Sequence, residues 1–78
     1  MKPTVGRIVH FFPSPGDAEG RSNSNDGPIP AIITRVWDEA CVNLTAFPDF
    51  AQPVPYTSVA QRTEAGQTAC WDWPPRAE

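Results

Sequence analysis

The groups through which this chain could do acid–base, nucleophilic or metal chemistry are one histidine, His10, two cysteines, Cys41 and Cys70, and nine carboxylates. Their arrangement points away from all three. No serine or cysteine nucleophile stands in a motif with His10. Asp17, Glu19, Asp26, Asp38, Glu39, Asp49 and Glu64 fall in loops and turns. General acid–base work needs a carboxyl pair in shaped surroundings that pull its pKa values apart, which mobile turns rarely provide. There is no CxxC or HxxxH spacing, and one histidine with two distant cysteines is a poor zinc set. A glycine-rich phosphate loop leads into a helix, and no such pattern occurs. The expectation is a protein that is not an enzyme and carries neither metal nor cofactor.

Binding chemistry is better represented. Trp37, Trp71 and Trp73 are many tryptophans for a short chain, and five arginines stand against a single lysine. Arginine makes forked contacts to phosphate and carboxylate, and aromatic faces stack on bases. Arg7, His10, Arg35, Tyr56, Trp71 and Trp73 are therefore the candidate ligand contacts. Plainer readings stand beside these. Codon usage accounts equally well for the arginines, His10 reads as an ordinary half-buried strand residue, and at least one tryptophan belongs in a core. Three do not easily fit inside a small barrel, so at least one should meet a ligand or a second subunit.

The elements that must hold these residues are strands. "TVGRIVHFF", Thr4 to Phe12, alternates Val5, Arg7, Val9 and Phe11 with Gly6, Ile8, His10 and Phe12. Residues 13 to 30 carry four prolines, three glycines and little that is apolar, as a long flexible surface loop does. "AIITRVW", Ala31 to Trp37, is a β-branched strand, and Asp38, Glu39 and Ala40 turn it into "CVNLTAF", Cys41 to Phe47, as a hairpin. A second proline-rich connection spans residues 48 to 55. Tyr56 to Gln61 and Gln67 to Trp73 complete the set, joined by the turn "TEAG". "WDWPP" cannot be helical, because Pro74 and Pro75 lack donors and push the residue before them towards extended geometry. As a strand it places Trp71 and Trp73 on one face and Asp72 on the other. The "NLT" at Asn43 matches a glycosylation sequon by coincidence, inside a strand. The expected fold is all-β: one domain over residues 1 to 78, a five-stranded, partly open barrel in up-and-down order. SH3-like is the favoured form and OB-like the alternative.

Bulk properties narrow the partners. Seventy-eight residues bury too little surface for comfort, which favours self-association as a homo-oligomer. Two cysteines are too few for a disulfide scaffold. The N-terminal stretch lacks the apolar core of a signal peptide, and nothing reaches transmembrane length, so a cytoplasmic protein without membrane contact is expected. A net charge of −3 argues against general nucleic-acid binding.

Taken in order, "GRIVHFF", "PAIITRVW", "CVNLTAF", "TSV" and "WDWPPR" resemble a family of small proteins encoded by tailed phages and prophages. That family typically reads GRIVHY, a PAI strand, VNL and a closing W-H-W-P-E. The resemblance marks Gly6, Arg7, His10, Pro30, Trp71, Trp73 and Pro74, and leaves out the loop from Pro13 to Gly27. Asp72 and Pro75 depart from it, standing where histidine and glutamate are usual. A phage origin implies a protein that acts on host factors in the bacterial cytoplasm. The expectation is an oligomer that sequesters a small anionic, nucleotide-like defence signal. The alternative is a protein-interaction module, serving as a particle accessory or as an inhibitor of a host protein.

Overall fold

The computed structural model describes residues 2–14, 16, 28–49 and 51–75. The expected loop over residues 13 to 30 lies mostly outside the described residues. Among the described residues five strands form: β1 (Ile8–Phe12), β2 (Ile29–Val36), β3 (Cys41–Ala46), β4 (Val54–Gln61) and β5 (Cys70–Asp72). They close into a barrel in the order β1-β2-β3-β4-β5, and no helix occurs among the described residues. Neighbours in sequence are neighbours in space, which is a meander and not the Greek key of an OB barrel.

The alternation expected from the sequence sets the inside of the barrel. Val9 and Phe11 of β1, Ile29, Ala31 and Ile33 of β2, and Val42, Leu44 and Ala46 of β3 are buried, with Val59 and Trp71. The β2–β3 turn is held as an Asx turn, in which Asp38 Oδ1 accepts from the Ala40 and Cys41 amides at 2.8 Å each. β1 begins at Ile8 and not at Thr4, because Gly6 turns the chain at φ 94°, a conformation that suits glycine. The pairing persists across that turn: Gly6 donates to the Ile33 carbonyl at 2.8 Å, and Ile33 donates to Arg7 at 3.0 Å. β2 starts two residues earlier than expected and takes in Pro30, whose carbonyl accepts from the Phe47 amide at 2.9 Å. The donor that proline lacks thus falls at the end of the β2–β3 ladder, where it costs little.

β5 departs most from the sequence reading. It has three residues, not the expected seven, and it runs parallel to β4 through Ala60↔Cys70 and Gln61↔Trp71. It is antiparallel to β1, through His10↔Asp72, Phe11↔Trp71 and Phe12↔Cys70. Five strands cannot alternate direction all the way round a closed barrel, so one neighbouring pair must be parallel. Here the segment after β4 makes that adjustment. Gly66 and Ala69 take positive φ values of 84° and 56°, and Gln67 Oε1 accepts from the Thr63 amide at 2.8 Å. The barrel is thereby closed where a partly open one was expected.

Two irregularities interrupt the ladders, and both lie opposite Asn43. The register slips between Ile33 and Arg35 on β2, and between Val42 and Leu44 where β3 faces β4. Each places an extra residue opposite β3, as a bulge does. Ser58 in the second bulge has φ 54°, a left-handed conformation rare for serine. The Asn43 side chain fills the second gap and anchors the residue after β2: Oδ1 accepts from the Ser58 amide and from Trp37 Nε1, each at 2.8 Å.

Cys41 and Cys70 are not adjacent. Ala60 stands between them, paired to each from opposite sides. A disulfide needs Cα atoms within about 7 Å on directly facing positions. Both thiols are free, with Cys70 buried and Cys41 half-buried. Burial pushes the Cys70 thiol pKa up; Arg62 acts against this and Asp72 with it.

Candidate functional site

The three tryptophans divide by depth. Trp71 is fully buried, and its Nε1 donates to the Ala40 carbonyl at 3.0 Å. That bond pins β5 to the β2–β3 turn and satisfies the one polar atom the ring carries into the core. Trp73, half-buried, meets Trp71 edge to face with ring centroids 5.3 Å apart and planes at 86°. Trp37 is 52% exposed. Trp71 is therefore the residue that seals the barrel. Its ring has no exposed surface for a ligand to touch, which corrects its place among the candidate contacts.

Each of the other two rings carries an arginine. The Arg7 guanidinium lies 5.6 Å from the centroid of Trp73, and that of Arg35 lies 4.1 Å from Trp37. Both arginines are exposed at the backbone positions they occupy. The β2 bulge resets the strand's inside–outside alternation, so Arg35 faces away from the core while Val36 turns partly towards it. Arg7 precedes β1 and Arg35 stands near the end of β2, and the Arg7–Ile33 bond joins those two stretches. Both cation–aromatic pairs therefore belong to one end of the barrel, the end that carries the β2–β3 turn. Contacts of this kind contribute about 0.5 to 1 kcal/mol at exposed sites, enough to orient the side chains.

His10 and Tyr56 lie elsewhere. His10 is half-buried on the outer wall, with Pro30 and Asp72 as its cross-strand partners. Tyr56 stacks on Phe11 at 4.3 Å between centroids and 30° between planes, lining a separate cleft. The six residues named from sequence thus do not converge on one pocket. Arg7, Arg35 and Trp73 share an end, His10 stands on the wall, Tyr56 opens onto the cleft and Trp71 is interior.

Sequence reasoning left Trp37 and Asn43 out of the ligand set. Trp37 is the more exposed tryptophan, and Asn43 holds its indole through the 2.8 Å bond. A tryptophan at the end of a predicted strand was visible as a signal, but the bulge that brings Asn43 beneath it was not. Asp72 has work of its own in this chain. Its carboxylate accepts from the Trp73 amide at 2.8 Å and from Gln61 Nε2 at 3.4 Å, and it pairs with Arg62 at 3.6 Å. Arg62 in turn lies 4.2 Å over the Phe12 ring. Together these contacts clasp the short fifth strand to its neighbours.

Among the described residues no three of histidine, cysteine, aspartate and glutamate gather as a metal-binding group, and no helix is long and apolar enough to cross a membrane. Compared with protein-family models, curated proteins and solved structures, the chain matches none.

Proposed function

We propose that this chain is a non-enzymatic phage protein that binds and sequesters a small anionic, nucleotide-like defence signal in the host cytoplasm, acting as a homo-oligomer. The observation that carries the reading is the pair of arginine-on-tryptophan contacts, Arg7–Trp73 and Arg35–Trp37, at one end of a small barrel. Each offers a flat aromatic face for a base beside a guanidinium for a phosphate. The site needs no basic surface at large, which suits a chain of net charge −3. The resemblance to small tailed-phage proteins supplies the biological setting. A trap competes by affinity and stoichiometry, so no catalytic group is required of it.

The test is a thermal-shift screen against cyclic nucleotides and ADP-ribose derivatives, followed by calorimetry on any hit. Ligand that binds only the folded state raises Tm with the logarithm of its free concentration. Arg7→Ala and Arg35→Ala should then remove binding while the fold survives. Unchanged affinity in both variants sinks the assignment.

A second reading is a protein-interaction module, a particle accessory or an inhibitor of a host protein. It is favoured by Val5 and Ile8, which are 67% and 61% exposed beside Arg7. Large apolar side chains flanking an arginine and a tryptophan are also the composition of a protein hot spot. That reading predicts no small-molecule stabilisation at all.

A further inference from the structure

We propose that the cleft between β1 and β4 is a second binding site, one that takes an uncharged ring compound of nucleobase or nucleoside size. The cleft follows from the shortness of β5. That strand meets β4 only at Ala60 and Gln61, so it does not run alongside the stretch from Tyr56 to Val59. A cavity of about 330 Å³ opens there, lined by Phe11, Ser14, Tyr56, Thr57, Ser58, Val59 and Ala69. Its volume is at the low end of small-molecule sites, which fits one ring system with or without a sugar and excludes a dinucleotide.

The lining states the chemistry of the occupant. None of these residues is charged, so the site has nothing to neutralise a phosphate or a carboxylate. Ser14, Thr57 and Ser58 carry hydroxyls, each both donor and acceptor, which suit the mixed edge of a base or the hydroxyls of a sugar. Tyr56, half-buried and stacked at 4.3 Å on the buried Phe11 ring, supplies an aromatic wall against which a flat ring can lie.

Backbone strain singles out the same place. Ser58 and Ala69, at φ 54° and 56°, are the two non-glycine residues with positive φ among those described. Both line this cavity, one from each side. Residues held in such sparsely populated conformations cluster at ligand sites, where the surrounding structure must over-determine them. Ser58 is held in place by Asn43, whose Oδ1 accepts from the Ser58 amide at 2.8 Å.

This site contains none of the arginine–tryptophan pairs, so it stands or falls apart from the anionic site proposed above. The test is a titration of the isotope-labelled protein with adenosine, guanosine, cytidine and uridine to millimolar concentration, followed by amide NMR. The expected result is saturable movement of the Ser14, Thr57, Ser58 and Ala69 signals with at least one nucleoside. Thr57→Val, which keeps shape and strand preference, should weaken that binding roughly three- to tenfold for one lost hydrogen bond. Arg7→Ala should leave it unchanged. The proposal is overturned if these four signals stay still with all four nucleosides, if the movement centres on Trp37 and Trp73, or if Thr57→Val binds as tightly as the parent.

Discussion

Removing the Asn43 carboxamide should cost this barrel a large part of its stability, although the side chain is only half-buried. Asn43→Ala deletes two hydrogen bonds of 2.8 Å, one from the Ser58 amide and one from Trp37 Nε1. At about 0.5 to 1.5 kcal/mol net for each bond, the loss is about 1 to 3 kcal/mol. A chain of this length holds a total of roughly 4 to 12 kcal/mol, on typical per-residue values. For a domain of this size each kcal/mol moves Tm by about 4 to 8 °C, so thermal unfolding followed by circular dichroism should show a fall of roughly 5 to 20 °C. Both bonds are received by Oδ1, so Asn43→Asp keeps an acceptor in place and should melt close to the parent. Trp37→Phe keeps an aromatic ring and removes one donor, and should account for about half of the loss. If Asn43→Ala melts within about 2 °C of the parent, neither the Ser58 bulge nor the Trp37 indole is held by this side chain and the argument fails.

Other expectations follow from the same geometry. Trp71→Ala should lose about 3 to 5 kcal/mol, a large share of the total stability, whereas Trp73→Ala should lose less; a Trp71→Ala that melts no lower than Trp73→Ala would displace Trp71 as the core plug. Ala69→Gly removes the cost of φ 56° at a residue with a Cβ and should raise Tm by a few degrees; a lower Tm would mean that the left-handed backbone there carries no strain. Under native conditions Cys41 should react first with a thiol reagent and Cys70 only on unfolding, read by mass spectrometry; equal rates would contradict the burial of Cys70. The raised Cys70 pKa means that the unfolded chain loses its thiol proton first as pH rises. That contribution to stability is fully present below the unfolded thiol's value of about 8.5, and is lost as pH rises through the folded value. Between those limits the parent should lose stability faster than Cys70→Ser, and parallel curves would refute the shift.

Much of the architecture was legible in the chain because β-structure writes a local period. Val42, Leu44 and Ala46 alternate with half-buried neighbours, and Asp38 marks the turn that β2 and β3 share. The run of prolines excluded helices, and the spacing of Trp71 and Trp73 put both on one face, where their rings meet edge to face. Site residues were less legible: types suited to binding could be named, but not their grouping. A bulge shifts a strand's alternation by one residue without leaving a mark in composition, and Arg35 and Trp37 lie just beyond one.

The chain by itself therefore determined the all-β class, the β2–β3 hairpin and the core-facing halves of β1 and β3, since each depends on residues two to four positions apart. Only the tertiary structure decided that β5 is short and parallel to β4, that Trp71 and not Trp73 closes the core, and that Arg7 and Arg35 stand over indole rings at one end. Those outcomes depend on closing the barrel, and closure sets the register between strands far apart in sequence. A period of two residues carries no record of which distant strand will lie alongside.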